Sequence, residues 1–208
     1  AMGLNSLMNN NAGFNTAIGC NAGNAITTGS NNVAVGYNAG NAITSGNNNV
    51  AVGNNAQVPT ATASNQVRIG ATTVTYAGVQ VAWTVTSDRR YKSDIANSNL
   101  GLDFIKKLRP VSYTRNNDDS KKIEYGFIAQ EIEQALKESG ITKSGIITVD
   151  DQGMYGVRYN DFISPMVKAI QEQQQEIETQ KQEKEKLQKQ LTELQQQIDI
   201  IKSQLKNK

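Results

Sequence analysis

Residues 15–31 read NTAIGCNAGNAITTGSN, residues 32–48 read NVAVGYNAGNAITSGNN, and residues 49–56 begin again as NVAVGNNA. The period is 17, from Asn15 to Asn32 to Asn49. Ile18, Val35 and Val52 recur in phase, followed by Gly19, Gly36 and Gly53 and then Ala22, Ala39 and Ala56. Ile26 and Ile43 supply a second apolar position, and Gly29 and Gly46 a second turn. Each unit therefore reads as a short β segment, a Gly corner, a second short segment and a Gly/Asn turn. Gly and Asn suit such corners because they tolerate positive φ, which other residues resist. One unit holds too few apolar side chains to bury a core alone, so neighbouring units must stack. Even the stack is thin. Three chains sharing one axis would bury the small Ala and Val positions from several sides, whereas a single-chain solenoid this narrow is expected to close with difficulty. The alternative, a disordered Asn/Gly/Ser linker, accounts for the low hydrophobicity but not for aliphatic residues in phase.

Outward from the repeat, the charge pattern divides the chain. Residues 1–87 hold one side chain of the Asp/Glu/Lys/Arg type, Arg68, and the other 39 of the 40 lie between Asp88 and Lys208. With no His, a His-based metal site, a Ser–His–Asp triad and a Cys–His dyad are excluded. The single Cys, Cys20, excludes an intrachain disulfide framework and a multi-Cys zinc site. A net charge of +2 without a basic block argues against nucleic acid as a partner. No apolar run approaches the ~20 residues of a membrane span, and no signal peptide is visible. The leading Ala-Met-Gly reads as a cloning scar. No cofactor is expected.

The N-x-A-x-G-x-x-A-G pattern of residues 9–58 resembles repeats in phage tail fibres and in the heads of trimeric bacterial adhesins. That resemblance implies a trimeric β-roll or β-helix stem with a structural role. The polar, Asn-rich surface designates no sugar site; contact with a host-surface glycan or receptor is expected only through a full-length fibre.

Residues 57–64 read as a linker, with Pro59 among small residues. Two β-rich stretches follow, Val67 to Ile69 and Thr73 to Thr86, and Trp83 is expected to pack where stem meets domain. Next comes an α+β module. Asn97-Ser98-Asn99 offers an N-cap for a helix over 100–108, which Pro110 ends. Strands are expected at 111–114 and 124–128, a helix at 130–138, and a hairpin of 146–149 with 155–159 around Asp151-Gln152-Gly153. At about 70 residues the module is small for an independent core and is expected to need partners.

From Asp161 onward the pattern is helical. With position a on Ile163, Ile170, Ile177, Lys184, Leu191, Ile198 and Leu205, position d falls on Met166, Gln173, Gln180, Leu187, Leu194 and Ile201. Ten of these thirteen are apolar, the signature of a coiled coil, and Ile at a without regular Leu at d favours three or more strands. Pro165 falls in the first turn, where its missing N–H does least harm. The expected fold class is thus mixed: a repeat β stem (1–58), a β-rich linker (59–86), an α+β module (87–160) and a trimeric coiled coil (161–208).

The chemistry is at the charge boundary, Thr84-Val85-Thr86-Ser87-Asp88-Arg89-Arg90-Tyr91-Lys92-Ser93-Asp94-Ile95. Without His, a Ser nucleophile can be activated by a Lys made neutral through burial or nearby cations. Lys92 lies five residues past Ser87, within reach in a turn or helical bend but not in an extended strand. Arg89 and Arg90 would favour a neutral Lys92 and stabilise an oxyanion, and Asp88 would orient an Arg or the turn. The residues alone leave two readings open, a Ser–Lys pair or an ordinary surface turn.

S-D-R-R-Y-K-S-D-I (87–95), L-R-P-V-S-Y (108–113), Y-G-F-I-A-Q-E-I (125–132) and M-V-K-A-I-Q-E (166–172), in that order, resemble the intramolecular chaperone domain of endosialidase tailspikes. The same family includes phage tail fibres and neck appendages and a eukaryotic membrane-bound transcription factor. The resemblance implies a homotrimer in which the domain folds the preceding stem and then releases itself by cutting before the motif Ser with a Ser–Lys dyad. Carried onto this chain, it makes Ser87 the nucleophile, Lys92 the general base and Thr86–Ser87 the scissile bond. Asp88 and Arg90 match the remaining fixed places of S-D-x-R-x-K, and Gln130 and Glu131 match A-Q-E in a supporting role. The protein implied is an autocatalytic serine endopeptidase of a virion tail fibre. The alternative is a non-catalytic trimeric fibre tip or adhesin that keeps the domain as a cap. No triad, metal cluster or phosphate loop supports an enzyme acting on an external substrate.

Overall fold

A computed structural model describes residues 1–206. They form two compact units: Ala1–Ser93 with Pro110–Gln130 and Ile147–Val157, and Asp94–Arg109 with Glu131–Ile146 and Arg158–Lys208.

The first unit opens with four three-residue strands, β1 (Thr16–Ile18), β2 (Val33–Val35), β3 (Val50–Val52) and β4 (Val67–Ile69). They form one parallel sheet in that order, each residue paired with the one 17 further on, as in Thr16 with Val33 and Ala34 with Ala51. Met2 bridges to Ile18, so the Ala-Met-Gly read as a scar continues the ladder before β1.

A single chain closes this solenoid. Ala17, Ala34 and Ala51, Ala22, Ala39 and Ala56, and Ile26 and Ile43 are wholly buried within it. The expectation that three chains share one axis to bury these positions is therefore corrected. Small Ala side chains let successive coils pack without a void, and a ladder of amides completes the interior. Asn32 Oδ1 accepts from the Asn49 backbone N–H at 2.9 Å, and Asn32 Nδ2 donates to Asn15 Oδ1 at 3.1 Å and to the Gly46 carbonyl at 2.9 Å. Asn49 Oδ1 in turn accepts from the Gln66 backbone N–H at 2.9 Å. Buried polar atoms are satisfied along the axis, which a low-aliphatic core requires. The in-phase Ile18, Val35 and Val52 flank the inward Ala of each strand and point outward.

The corners follow the expected chemistry. Asn21, Asn38 and Asn55 hold φ of 57°, 53° and 51°, the left-handed region that Asn tolerates. A Cβ on Gly46 would lie 2.1 Å from the Ala63 carbonyl oxygen, so only Gly lets these two coils approach.

After β4, residues 73–86 hold no strand, contrary to expectation. Val79, Val81, Trp83 and Val85 alternate in the manner of a strand but are exposed, and Trp83 is 75% exposed rather than packed at a junction. The same unit contains two antiparallel hairpins, β5 (Val111–Tyr113) with β6 (Glu124–Gly126) and β7 (Ile147–Val149) with β8 (Tyr155–Val157). Arg115 Nε lies 3.0 Å from both Glu124 carboxylate oxygens beside the β5–β6 turn.

The second unit packs α1 (Leu102–Lys107), most of α2 (Ala129–Glu138) and the start of α3 (Ile163–Lys206) around Leu100, Phe104, Ile132, Leu136, Phe162 and Ala169. Phe104 and Phe162 stack with ring centroids 6.4 Å apart. Ser98 does not cap α1. Its hydroxyl engages Leu100, and the first turn of α1 is capped from α3, where Glu172 Oε2 accepts from the Leu102 N–H at 2.7 Å. Lys168 lies 2.7 Å from Glu172, and these two donors hold its carboxyl below the usual range, the lysine contributing most. Helix α3 is 44 residues long. Its a and d residues, from Ile163 and Met166 to Ile201 and Leu205, line its length exposed. No described helix is long and apolar enough to cross a membrane.

Candidate functional site

Ser87 ends the neutral part of the chain, and a single 3-10 turn, Arg89–Tyr91, follows it. Asp88 makes that turn form. Its backbone is extended, and its Oδ1 accepts from the Arg90 backbone N–H at 2.8 Å, the role of an N-cap. The Arg90 guanidinium folds back onto the same carboxylate, Nε to Oδ1 at 3.0 Å and Nη2 to Oδ2 at 2.8 Å. These contacts hold the Asp88 carboxyl below the usual carboxylate range, the guanidinium first and the backbone N–H second. The turn closes with the Tyr91 N–H on the Asp88 carbonyl at 3.1 Å and the Lys92 N–H on the Arg89 carbonyl at 3.0 Å.

In an extended chain five residues span about 16 Å. With the turn in place, Lys92 Nζ donates to Ser87 Oγ at 2.7 Å. The spacing therefore resolves into a direct contact between hydroxyl and amine. Arg90 is committed to Asp88, so it braces the turn instead of lying free for an oxyanion. Ser87, Arg89 and Lys92 are all exposed to solvent.

Residues 87–141 match the family model described as chaperone of endosialidase. Residues 87–141 carry an endosialidase-type chaperone domain. The match begins on the serine that meets Lys92. No curated protein and no solved structure matches the chain.

The chaperone domain's A-Q-E segment opens α2. Gln130 is exposed there, and Glu131, in the first turn of the helix, is gripped by Arg109 through two bonds, one of them Arg109 Nε to Glu131 Oε2 at 3.1 Å. A carboxylate in a first turn also favours the helix dipole. Glu131 is thus occupied as a structural anchor joining the L-R-P-V-S-Y and A-Q-E motifs of the chaperone domain. Sequence reasoning did not name Arg109; its place in a family motif was the available signal. Among the described residues, no group of His, Cys, Asp and Glu is arranged to hold a metal ion.

Proposed function

We propose that this chain is the C-terminal part of a viral tail fibre or tailspike whose chaperone domain trimerises and folds the preceding stem, then cuts itself off between Thr86 and Ser87. The observation that carries the reading is the 2.7 Å contact of Lys92 Nζ with Ser87 Oγ at the first residue of the family match.

The chemistry balances within the chain. A neutral Lys92 amine takes the Ser87 hydroxyl proton as Oγ attacks the Thr86 carbonyl carbon. The C–N bond then breaks, and the Ser87 nitrogen receives that proton and leaves as the amine, with the Thr86 acyl group now esterified to Ser87 Oγ. Water hydrolyses the ester, giving a carboxylate on Thr86 and restoring the Ser87 hydroxyl. Such a step needs the amine without its extra proton, and removing water from around Lys92 favours that form. Lys92 is solvent-exposed in one chain, so a covering neighbour supports the chemistry as well as the fold.

Two surfaces support three-chain assembly. The a and d residues of α3 form an exposed apolar seam. The outward face of the stem sheet carries Val33, Val50 and Val67 beside Ile18, Val35, Val52 and Ile69, and parallel sheets are ordinarily covered on both faces. The assembled product is a virion fibre. Intact mass of the assembled protein tests the reading: fragments 1–86 and 87–208 are expected, and a stable full-length mass in a proven trimer contradicts it.

A further inference from the structure

The β7–β8 turn meets the last coil of the stem. The Asp151 backbone N–H donates to the Pro59 carbonyl at 3.0 Å, and the Ala61 N–H donates to Asp151 Oδ2 at 2.6 Å, a bond between residues 90 apart in sequence. The turn is stiffened from within, because Asp150 Oδ1 accepts from the backbone N–H groups of Gln152 at 2.9 Å and Met154 at 2.8 Å. Pro59 and Ala61 belong to the coil between β3 and β4, whose far side has no following coil.

Charge marks the same place. Arg68 occupies the centre of β4 in register with Ala51, where every earlier strand buries an Ala. A cation at this inward position ends the apolar interior. Arg68 Nε donates to the Gly70 carbonyl at 2.8 Å, and Arg68 lines a cavity of about 260 Å³ together with Asp150 and Asp151. The one charge of the first 87 residues thus shares a cavity with the two carboxylates of the hairpin turn.

We infer that the Asp150–Gly153 turn is a clasp that caps the end of the solenoid, with Asp151 as its anchor and Arg68 as its electrostatic partner. It covers backbone groups that would otherwise offer a template to another chain. The clasp does not use the Thr86–Ser87 bond. Its consequence, which rests on the proposed cut, is that breaking that bond alone does not free the stem; the turn must also let go.

The test removes self-cleavage from the question. In a full chain carrying Ser87→Ala, a site-specific protease sequence is inserted after Thr86 and cut. The two pieces are expected to co-elute under native conditions, and to separate at least about tenfold faster when Asp151→Ala and Arg68→Ala are added, the scale of one lost charge-assisted bond. In the uncut Ser87→Ala chain, hydrogen exchange at the Ala61 amide is expected to quicken about tenfold with Asp151→Ala. Asp151→Asn, which keeps an acceptor oxygen without the charge, is expected between the two. Asp119→Ala, in another turn, is expected to leave Ala61 unchanged. Unaltered exchange at Ala61, or equal separation with and without the clasp substitutions, overturns the inference. Because the protease makes the cut, neither result depends on whether Ser87 and Lys92 react.

Discussion

Lys92 Nζ reaches Ser87 Oγ at 2.7 Å because one 3-10 turn, capped by Asp88, folds five residues back on themselves. The contact is built locally, from a cap and a guanidinium clamp within the same motif, and needs no distant element to form. What it lacks in one chain is cover, since both partners are open to water. In the proposed reaction geometry and activation are therefore separate, the first supplied by the turn and the second left to assembly.

Asp88 is a positioning residue in this account. Asp88→Ala removes the acceptor for the Arg90 N–H and the anchor for its guanidinium, and is expected to slow cutting several-fold without changing assembly. Asp88→Asn keeps the cap and is expected to recover most of the rate. A time course by intact mass, alongside sedimentation, checks both.

The stem should fail from its amide ladder. Asn49→Ala leaves the Gln66 N–H without its acceptor and the Ala63 carbonyl with one donor, Gln66 Nε2, in place of two, at a cost of about 1–3 kcal/mol. Thr28→Ala, on the exposed surface, should leave the stem's resistance to protease unchanged.

Glu172 makes the second unit sensitive to acid. Its carboxyl is held below the ordinary value of 4.5 by Lys168 and by the Leu102 N–H, so the folded state binds the proton less readily than the unfolded one. Its stabilising contribution is therefore complete above that value and is lost as pH falls through the lower folded one. The difference in thermal midpoint between the parent chain and Glu172→Gln should be largest at neutral pH and shrink below about pH 4.5.

Much of this was legible in the residues. Gly and Asn at fixed phase gave the period, and the turn Asp151-Gln152-Gly153 marked its hairpin. The closure of the stem by one chain was not legible, because counting aliphatics ignores wholly buried Ala and a core partly made of Asn. The β segment at Val67 to Ile69 was legible, but its place in the ladder was hidden because its phase positions change type, Gln66 standing where Asn15, Asn32 and Asn49 stand, and Arg68 where Ala51 stands. Residues 73–86 alternate like a strand, but alternation specifies a face and supplies no partner to pair with. The cap of α1 came from Glu172, 70 residues away, which no local signal reveals.

Assembly should control the chemistry. Ile198→Asp with Ile201→Asp places charges on the exposed seam of α3 and is expected to give monomers whose cutting is slow or absent, while leaving the Ser87–Lys92 turn intact. Sedimentation reports the oligomer and intact mass the cut. Rapid cutting by a proven monomer would mean that a neighbouring chain supplies nothing to the reaction.

The most direct measurement is the mass spectrum of the assembled protein with Lys92→Arg. Arginine still places a cation and N–H donors near Ser87 Oγ but does not give up a proton in a protein, so it preserves a hydrogen bond while removing a base. The account predicts fragments 1–86 and 87–208 from the parent chain and the full-length mass alone from Lys92→Arg and Ser87→Ala. Cutting of the Lys92→Arg chain at the parent rate would contradict it, since Lys92 would then be a brace for Ser87 and not the group that takes its proton.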